Sequence, residues 1–340
     1  MNSKEIIKRV LEFDSPPRIG YCFNNSNPTD IAYGHLEWVS GEKYQSWGRY
    51  PELLEKVPGF QGEVRLRDGN IFGRLNGRTN GECIRGALED GWDSLDGYTE
   101  AYLRPYRSPK SDEITKLMRW ADNNRDMFTM STVMPLQSTA RDARTIGNML
   151  ADTVLEKENL KRCVNECADA AMAQTDILHM CGIDSAIMYD DWGLQNSLYI
   201  NPKSWREIWR EPYARVIERL HSHGMKFMLH SCGFVYDIIG DFVEIGVDAF
   251  QFDQPALYDF PGLAKKIGGK ATLWSPVDIQ KVLPTGDKSK IQAEAARMMD
   301  TFHKGGGLIA MDYGSLGDIG VKDEWAQYAR DVFTGAGVKN

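Results

Sequence analysis

From about residue 125 onward, short apolar or β-branched runs alternate with longer segments whose apolar positions recur every three to four residues. The first pattern is that of buried strands, the second that of helices with one covered face. Strands are predicted at Met127–Thr132, Ala186–Tyr189, Lys226–Leu229, Ala249–Phe252, Ala271–Trp274 and Leu308–Met311, preceded by one at Arg18–Phe23. The clearest helix is Ser204–His221, where Trp205, Ile208, Trp209, Tyr213, Val216, Ile217 and Leu220 make one stripe. Asn201 suits its N-cap, Pro202 its first turn, and Gly224 its end. Another helix, about Asp237–Ile245, fills the next crossover and stops at Gly246.

Alternating strands and helices predict a parallel sheet with right-handed crossovers. Seven strands are too many for a small open sheet, so the fold class expected is α/β, a (β/α)8 TIM barrel, with a doubly wound sheet as the alternative. The whole chain, 1–340, reads as one domain. Residues 25–110 break the alternation. Within them Val64–Phe72 alternates around Asp68-Gly69, the signature of a β-hairpin, and the segment is expected to form an insertion over the barrel mouth.

Composition narrows the function classes. A formal net charge of -8 argues against a nucleic-acid surface or a polybasic membrane patch. No apolar run reaches the roughly 18 residues of a membrane helix, and the N-terminus is not a signal peptide. Six cysteines in 340 residues form no disulfide framework, so a reducing, cytoplasmic location is expected.

Candidate chemistry gathers where the strands end, which in this architecture is where active sites lie. His230-Ser231-Cys232-Gly233 follows directly on an apolar strand, and imidazole nitrogen with thiolate sulfur is a donor pair suited to zinc. Gly233 permits the bend that would aim both groups at one point. The bland reading is a buried cysteine beside a backbone-bonded histidine. Other strand ends bring Asn24 beside Cys22, Asp190, Asp191 with Gln195, Asp253 with Gln254, and Asp312. Tyr189, Trp192, Phe252, Trp274 and Tyr313 flank them and would floor a pocket for a flat or apolar ligand. By contrast His221 and His223 fall on the opposite rim, Cys163 and Cys167 read as core, and Gly305–Gly307 reads as a helix stop.

Asp190–Gln195, Ile200–Trp205, Leu229–Gly233, Gly246–Asp248 and Asp253–Pro255, with the Asp68-Gly69 hairpin and Gly86-Ala87-Leu88, resemble the uroporphyrinogen decarboxylase superfamily over about residues 63–330. The match is closest to its cobamide-dependent methyltransferase branch. True decarboxylases of this family grip porphyrin carboxylates through an arginine-rich N-terminal segment, whereas here Pro16–Asn24 has no paired arginines. The resemblance implies a barrel and a zinc-dependent methyltransferase that moves a methyl group between a small substrate and the cobalt of a partner corrinoid protein. The substrate expected is a methyl ether; the aromatic rim points to an aromatic one, that is, to O-demethylation.

The resemblance further implies zinc on His230 and Cys232 plus a later cysteine, but no cysteine follows Cys232. Asp312 takes that place as the expected third ligand, with Cys22 the alternative and Asp190 or Asp191 still open. Asp191 or Asp253 would orient His230 or protonate the leaving oxygen. Asn24, Tyr189, Trp192, Gln195, Gln254, Trp274 and Tyr313 are expected to contact substrate. The competing readings are a tetrapyrrole decarboxylase and a barrel that binds a corrinoid or tetrapyrrole without turnover. Oligomeric state stays open between monomer and homodimer.

Overall fold

The computed structural model describes residues 1–25, 27–36, 63–65, 69–73 and 82–335. Eight parallel strands build the barrel: β1 (Gly20–Cys22), β2 (Ile31–Tyr33), β6 (Phe128–Thr132), β7 (Ser185–Tyr189), β8 (Lys226–His230), β9 (Ala249–Gln251), β10 (Thr272–Ser275) and β11 (Leu308–Met311). They run in the order β1-β11-β10-β9-β8-β7-β6-β2 around the wall. Residues 28–30 return antiparallel along β1, Asp30 N–H donating to the Tyr21 carbonyl at 2.8 Å, and bridge the gap to β2. The protein is therefore a (β/α)8 TIM barrel.

The period of two along each strand sorts its side chains between two cores. Ile187, Met228, Ala249, Trp274 and Ile309 point into the barrel. Their neighbours Met188, Phe227, Leu229, Phe250 and Leu308 point out, against the helices. The lower end of the barrel is closed by the N-terminal helix Ser3–Glu12, which inserts Ile6, Ile7, Val10 and Leu11 among the inward residues. Its start is fixed by a capping box: Asn2 Oδ1 accepts from Glu5 N, and Glu5 Oε2 accepts from Asn2 N, each at 3.0 Å.

Three sequence expectations change. β2 belongs to the barrel, so the excursion does not begin at residue 25; a three-residue strand reached without a helix lies below what alternation can detect. The hairpin pairs as expected, β3 (Glu63–Arg65) antiparallel to β4 (Ile71–Gly73), and gains β5 (Glu82–Arg85). What is described of the excursion packs on the outer helices Leu136–Arg144 and Lys157–Met180. Residues 37–62, 66–68 and 74–81, with the turn residue Asp68, lie outside the described residues. Finally, the helix expected over Ser204–His221 is two, Pro202–Ile208 and Arg210–Ser222. Pro212 has no N–H for the Ile208 carbonyl and its ring crowds that group, so the break falls at Trp209.

Candidate metal centre and cavity

β7 and β8 end side by side, with Tyr189 level with His230. Beyond them the two loops touch backbone to backbone. A Cβ on Gly193 would lie 2.3 Å from Phe234 N, and one on Gly233 would lie 2.2 Å from Gly193 O. Gly233 also holds φ at 78°, a conformation that costs other residues strain. Gly193 N donates to the Cys232 carbonyl at 3.2 Å, and Phe234 N to the Leu194 carbonyl at 2.7 Å. This clasp places Asp191 against Cys232.

Asp191, His230 and Cys232 form one cluster, their donor atoms all within 4.8 Å of one another. His230 Nε2 lies 3.4 Å from Cys232 Sγ and 3.4 Å from Asp191 Oδ1. Zinc bonds of standard length in a tetrahedron put such atoms roughly 3.4–3.6 Å apart. Both separations from His230 match that spacing.

The tautomer fits as well. Gln251 Nε2 donates to Asp253 Oδ1 at 2.7 Å, and a carboxylate only accepts, so the amide oxygen Oε1 must face His230. There it accepts from Nδ1, which leaves Nε2 facing Sγ and Oδ1, where a metal would take the place of its proton. Charge follows the same geometry. Burial raises the Asp191 carboxyl, but the hydrogen bond and charge of His230, with the Cys232 N–H donating at 2.7 Å, outweigh it and hold the group to about 2. For His230 burial works downward, yet Asp191 and Cys232 carry its pKa well above the ordinary value. Burial pushes the Cys232 thiol up, against the pull of His230.

The third donor in the cluster is thus an oxygen of Asp191, not of Asp312. Asp312 is turned away to a buried ion pair with Arg330 at 2.9 Å and accepts the Asn24 N–H at 2.9 Å. Cys22, the alternative, lines the cavity outside the cluster, its thiol pushed up to about 12 by burial and by the charge of Asp312. Asp190 faces the opposite way from Asp191, as strand alternation requires. Its carboxylate accepts from the backbone N–H groups of Leu136, Gln137 and Ser138 and from the Tyr213 hydroxyl, and so caps the helix Leu136–Arg144.

A cavity of about 300 Å³ opens over His230. Asn24, Tyr189, Trp274, Tyr313 and Asp253 line it, together with Cys22 and Asp312. Three expected contacts fall elsewhere. Trp192 is fully buried among Trp205, Trp209 and Tyr199, because it alternates outward from Asp191, and its Nε1 donates to the Tyr213 hydroxyl at 3.2 Å. Gln195 is exposed in the turn after β7. Gln254 accepts from Gly233 N at 3.1 Å and pins the loop instead of lining the cavity.

Sequence reading missed Tyr33, on the undetected β2, and Gln251. Gln251 had a signal: a polar residue at an inward position of a buried strand, two before Asp253. On the opposite rim His221 pairs with Asp248 and His223 with Asp176, each at 2.8 Å, and Cys163 and Cys167 are buried, all apart from this site.

The family model described as uroporphyrinogen decarboxylase (URO-D) matches residues 131–312. Among solved structures, a methyltransferase from Methanosarcina mazei shares the fold at a TM-score of 0.59 and 15% identity, over 76% of this chain and 73% of that one. A B12-independent methionine synthase from Shewanella sp. W3-18-1 reaches 0.48 at 8% identity, over 67% of each chain, too slight a likeness to argue from. No curated protein sequence matches the chain. Among the described residues no helix is long and apolar enough to cross a membrane.

Proposed function

Because the chain belongs to the uroporphyrinogen decarboxylase family, we propose that it serves the methyl-transfer chemistry of that fold: a zinc-dependent methyltransferase acting between a small methyl ether and a corrinoid protein. The observation that carries this reading is the cluster of Asp191, His230 and Cys232, three unlike donors at the upper end of the barrel. Three protein ligands are the number that leaves one coordination position for a substrate atom. The Methanosarcina mazei protein of the same fold is described as a methyltransferase, which adds support of a general kind.

When bound, zinc would act as a Lewis acid on the ether oxygen, and the cobalt of the partner's corrinoid would receive the methyl group. This chain's residues do the remainder. Gln251 fixes the His230 ring and hands the order on to Asp253. Asp253 lines the cavity, its carboxyl raised from the ordinary carboxylate range by burial, and would relay a proton to the oxygen that loses its methyl group. The transfer breaks a carbon–oxygen bond whose electron pair stays on oxygen and is then protonated. The tyrosines and Trp274 supply apolar walls that limit water around the reacting carbon.

A decarboxylase of tetrapyrroles is the weaker reading. Its substrate carries many carboxylates, and among the described residues no lysine or arginine lines the cavity. The test is to mix zinc-loaded protein with cob(I)alamin and a methoxylated donor. Methylcobalamin should form, and His230→Ala and Cys232→Ala should lose both zinc and this activity. A metal-free protein that still consumes uroporphyrinogen would overturn the proposal.

A further inference from the structure

The turn that carries Cys232 is held from two sides. On the β7 side, Asp191 Oδ1 accepts from Cys232 N at 2.7 Å and Gly193 N donates to the Cys232 carbonyl at 3.2 Å. The other side is built by the segment after β9. Gln254 Oε1 accepts from Gly233 N at 3.1 Å, and the Tyr258 hydroxyl donates to the Gly233 carbonyl at 2.8 Å. The same hydroxyl accepts from Val235 N at 3.1 Å. One tyrosine thus fastens both Gly233, where the chain turns at φ 78°, and the residue two places on.

The hydroxyl is fixed in its turn. Tyr258 is 4% exposed, and its ring stacks on Phe252 and Phe234 with centroids 5.1 and 5.3 Å away. Its segment is braced against the loop after β10: Ala256 N donates to Asp278 Oδ2 at 3.1 Å, and Ile279 N to the Asp253 carbonyl at 3.3 Å. Gly233 and Val235 are buried, so without the hydroxyl an acceptor and a donor would stand unmatched and the turn would shift to satisfy them. A metal tolerates little of that, since its bond lengths hold to about 0.2 Å.

Resting on the zinc reading above, we propose that Tyr258 and Gln254 are positioning residues of the metal centre. Through Gly233 and Val235 they preset Cys232 Sγ beside His230 Nε2, 3.4 Å away, before the metal arrives. The segment 253–258 thereby ties the metal loop to the cavity, which it lines through Asp253.

Tyr258→Phe keeps the ring stack and removes only the hydroxyl. Its zinc affinity in a chelator competition should fall about tenfold or more. With cobalt(II) in place of zinc, the thiolate-to-cobalt charge-transfer band should weaken or shift. In the metal-free protein the Val235 amide should exchange its hydrogen faster. Gln254→Leu should lower zinc affinity as well, and Gln254→Glu, which keeps an acceptor for Gly233 N, should retain more of it. Ile7→Ala, a core change at the other end of the barrel, separates positioning from general stability. Its zinc affinity and cobalt band should stay those of the wild type.

Wild-type affinity and an unchanged band in Tyr258→Phe overturn the proposal, as does an equal loss in Ile7→Ala. Should Tyr258→Phe not fold, wild-type affinity in Gln254→Leu overturns it. A wild-type protein that takes up neither zinc nor cobalt overturns this proposal together with the zinc reading. The methyl-transfer reading fails separately, if metal binds and the variants lose it as expected while no donor methylates cob(I)alamin.

Discussion

At the scale of single residues the decisive feature is parity. Tyr189 lines the cavity and Asp191 joins His230 and Cys232, while Asp190 and Trp192 face the helices, so neighbours in one short motif serve unrelated purposes. Gln251 stands behind the metal donors, and Gln251→Leu should lower zinc affinity about tenfold to a hundredfold in a chelator competition. Gln251→Glu keeps an acceptor for Nδ1 and should retain more of it. Unchanged affinity in the leucine variant would refute the assigned role. Gly193→Ala should also weaken zinc, since its Cβ must displace backbone across the clasp. His230 and Cys232 were legible from sequence because their spacing is local. Asp191 was one of four open candidates for their companion, and the Gly193–Gly233 contact is what brings it to them.

Among elements, the loops and caps set the site while helix packing sets stability. Asp190 links β7 to the helix Leu136–Arg144 through three backbone N–H groups, all left without their acceptor in Asp190→Ala. A loss of at least about 3 kcal/mol is expected from urea denaturation. Trp205 packs edge-on against Phe242 with ring centroids 4.7 Å apart, and Trp205→Ala should cost about 3–5 kcal/mol. Gly240 offers the opposite case. It sits within the helix Tyr236–Glu244 with open space where a Cβ would go, so Gly240→Ala should add about 0.5–1 kcal/mol. Periodicity located two of the crossover helical segments and the six later strands to within one or two residues. It failed at β2, too short for a pattern, and at Trp209, where Pro212 interrupts an otherwise continuous stripe.

For the whole molecule, the barrel separates a lower end made for closure from an upper end made for chemistry. Ile7 of the N-terminal helix is completely buried beneath the inward layer. Ile7→Ala should therefore destabilise the protein by about 2–5 kcal/mol, measured by thermal or urea unfolding, while its zinc content stays at the wild-type level. Loss of zinc from the folded variant would show that the two ends are not independent. The sequence by itself determined the class of fold, because hydrophobic period is a local property that each segment carries alone. It also determined which residue types crowd the strand ends. Tertiary structure decided which of those residues meet: Asp191 and not Asp312 beside His230 and Cys232, Trp192 in the core, Tyr33 and Gln251 in the cavity. The reason is that a metal site needs donor atoms converging within a few ångströms, and that convergence depends on strand register, side-chain parity and loop contact between segments far apart in the chain.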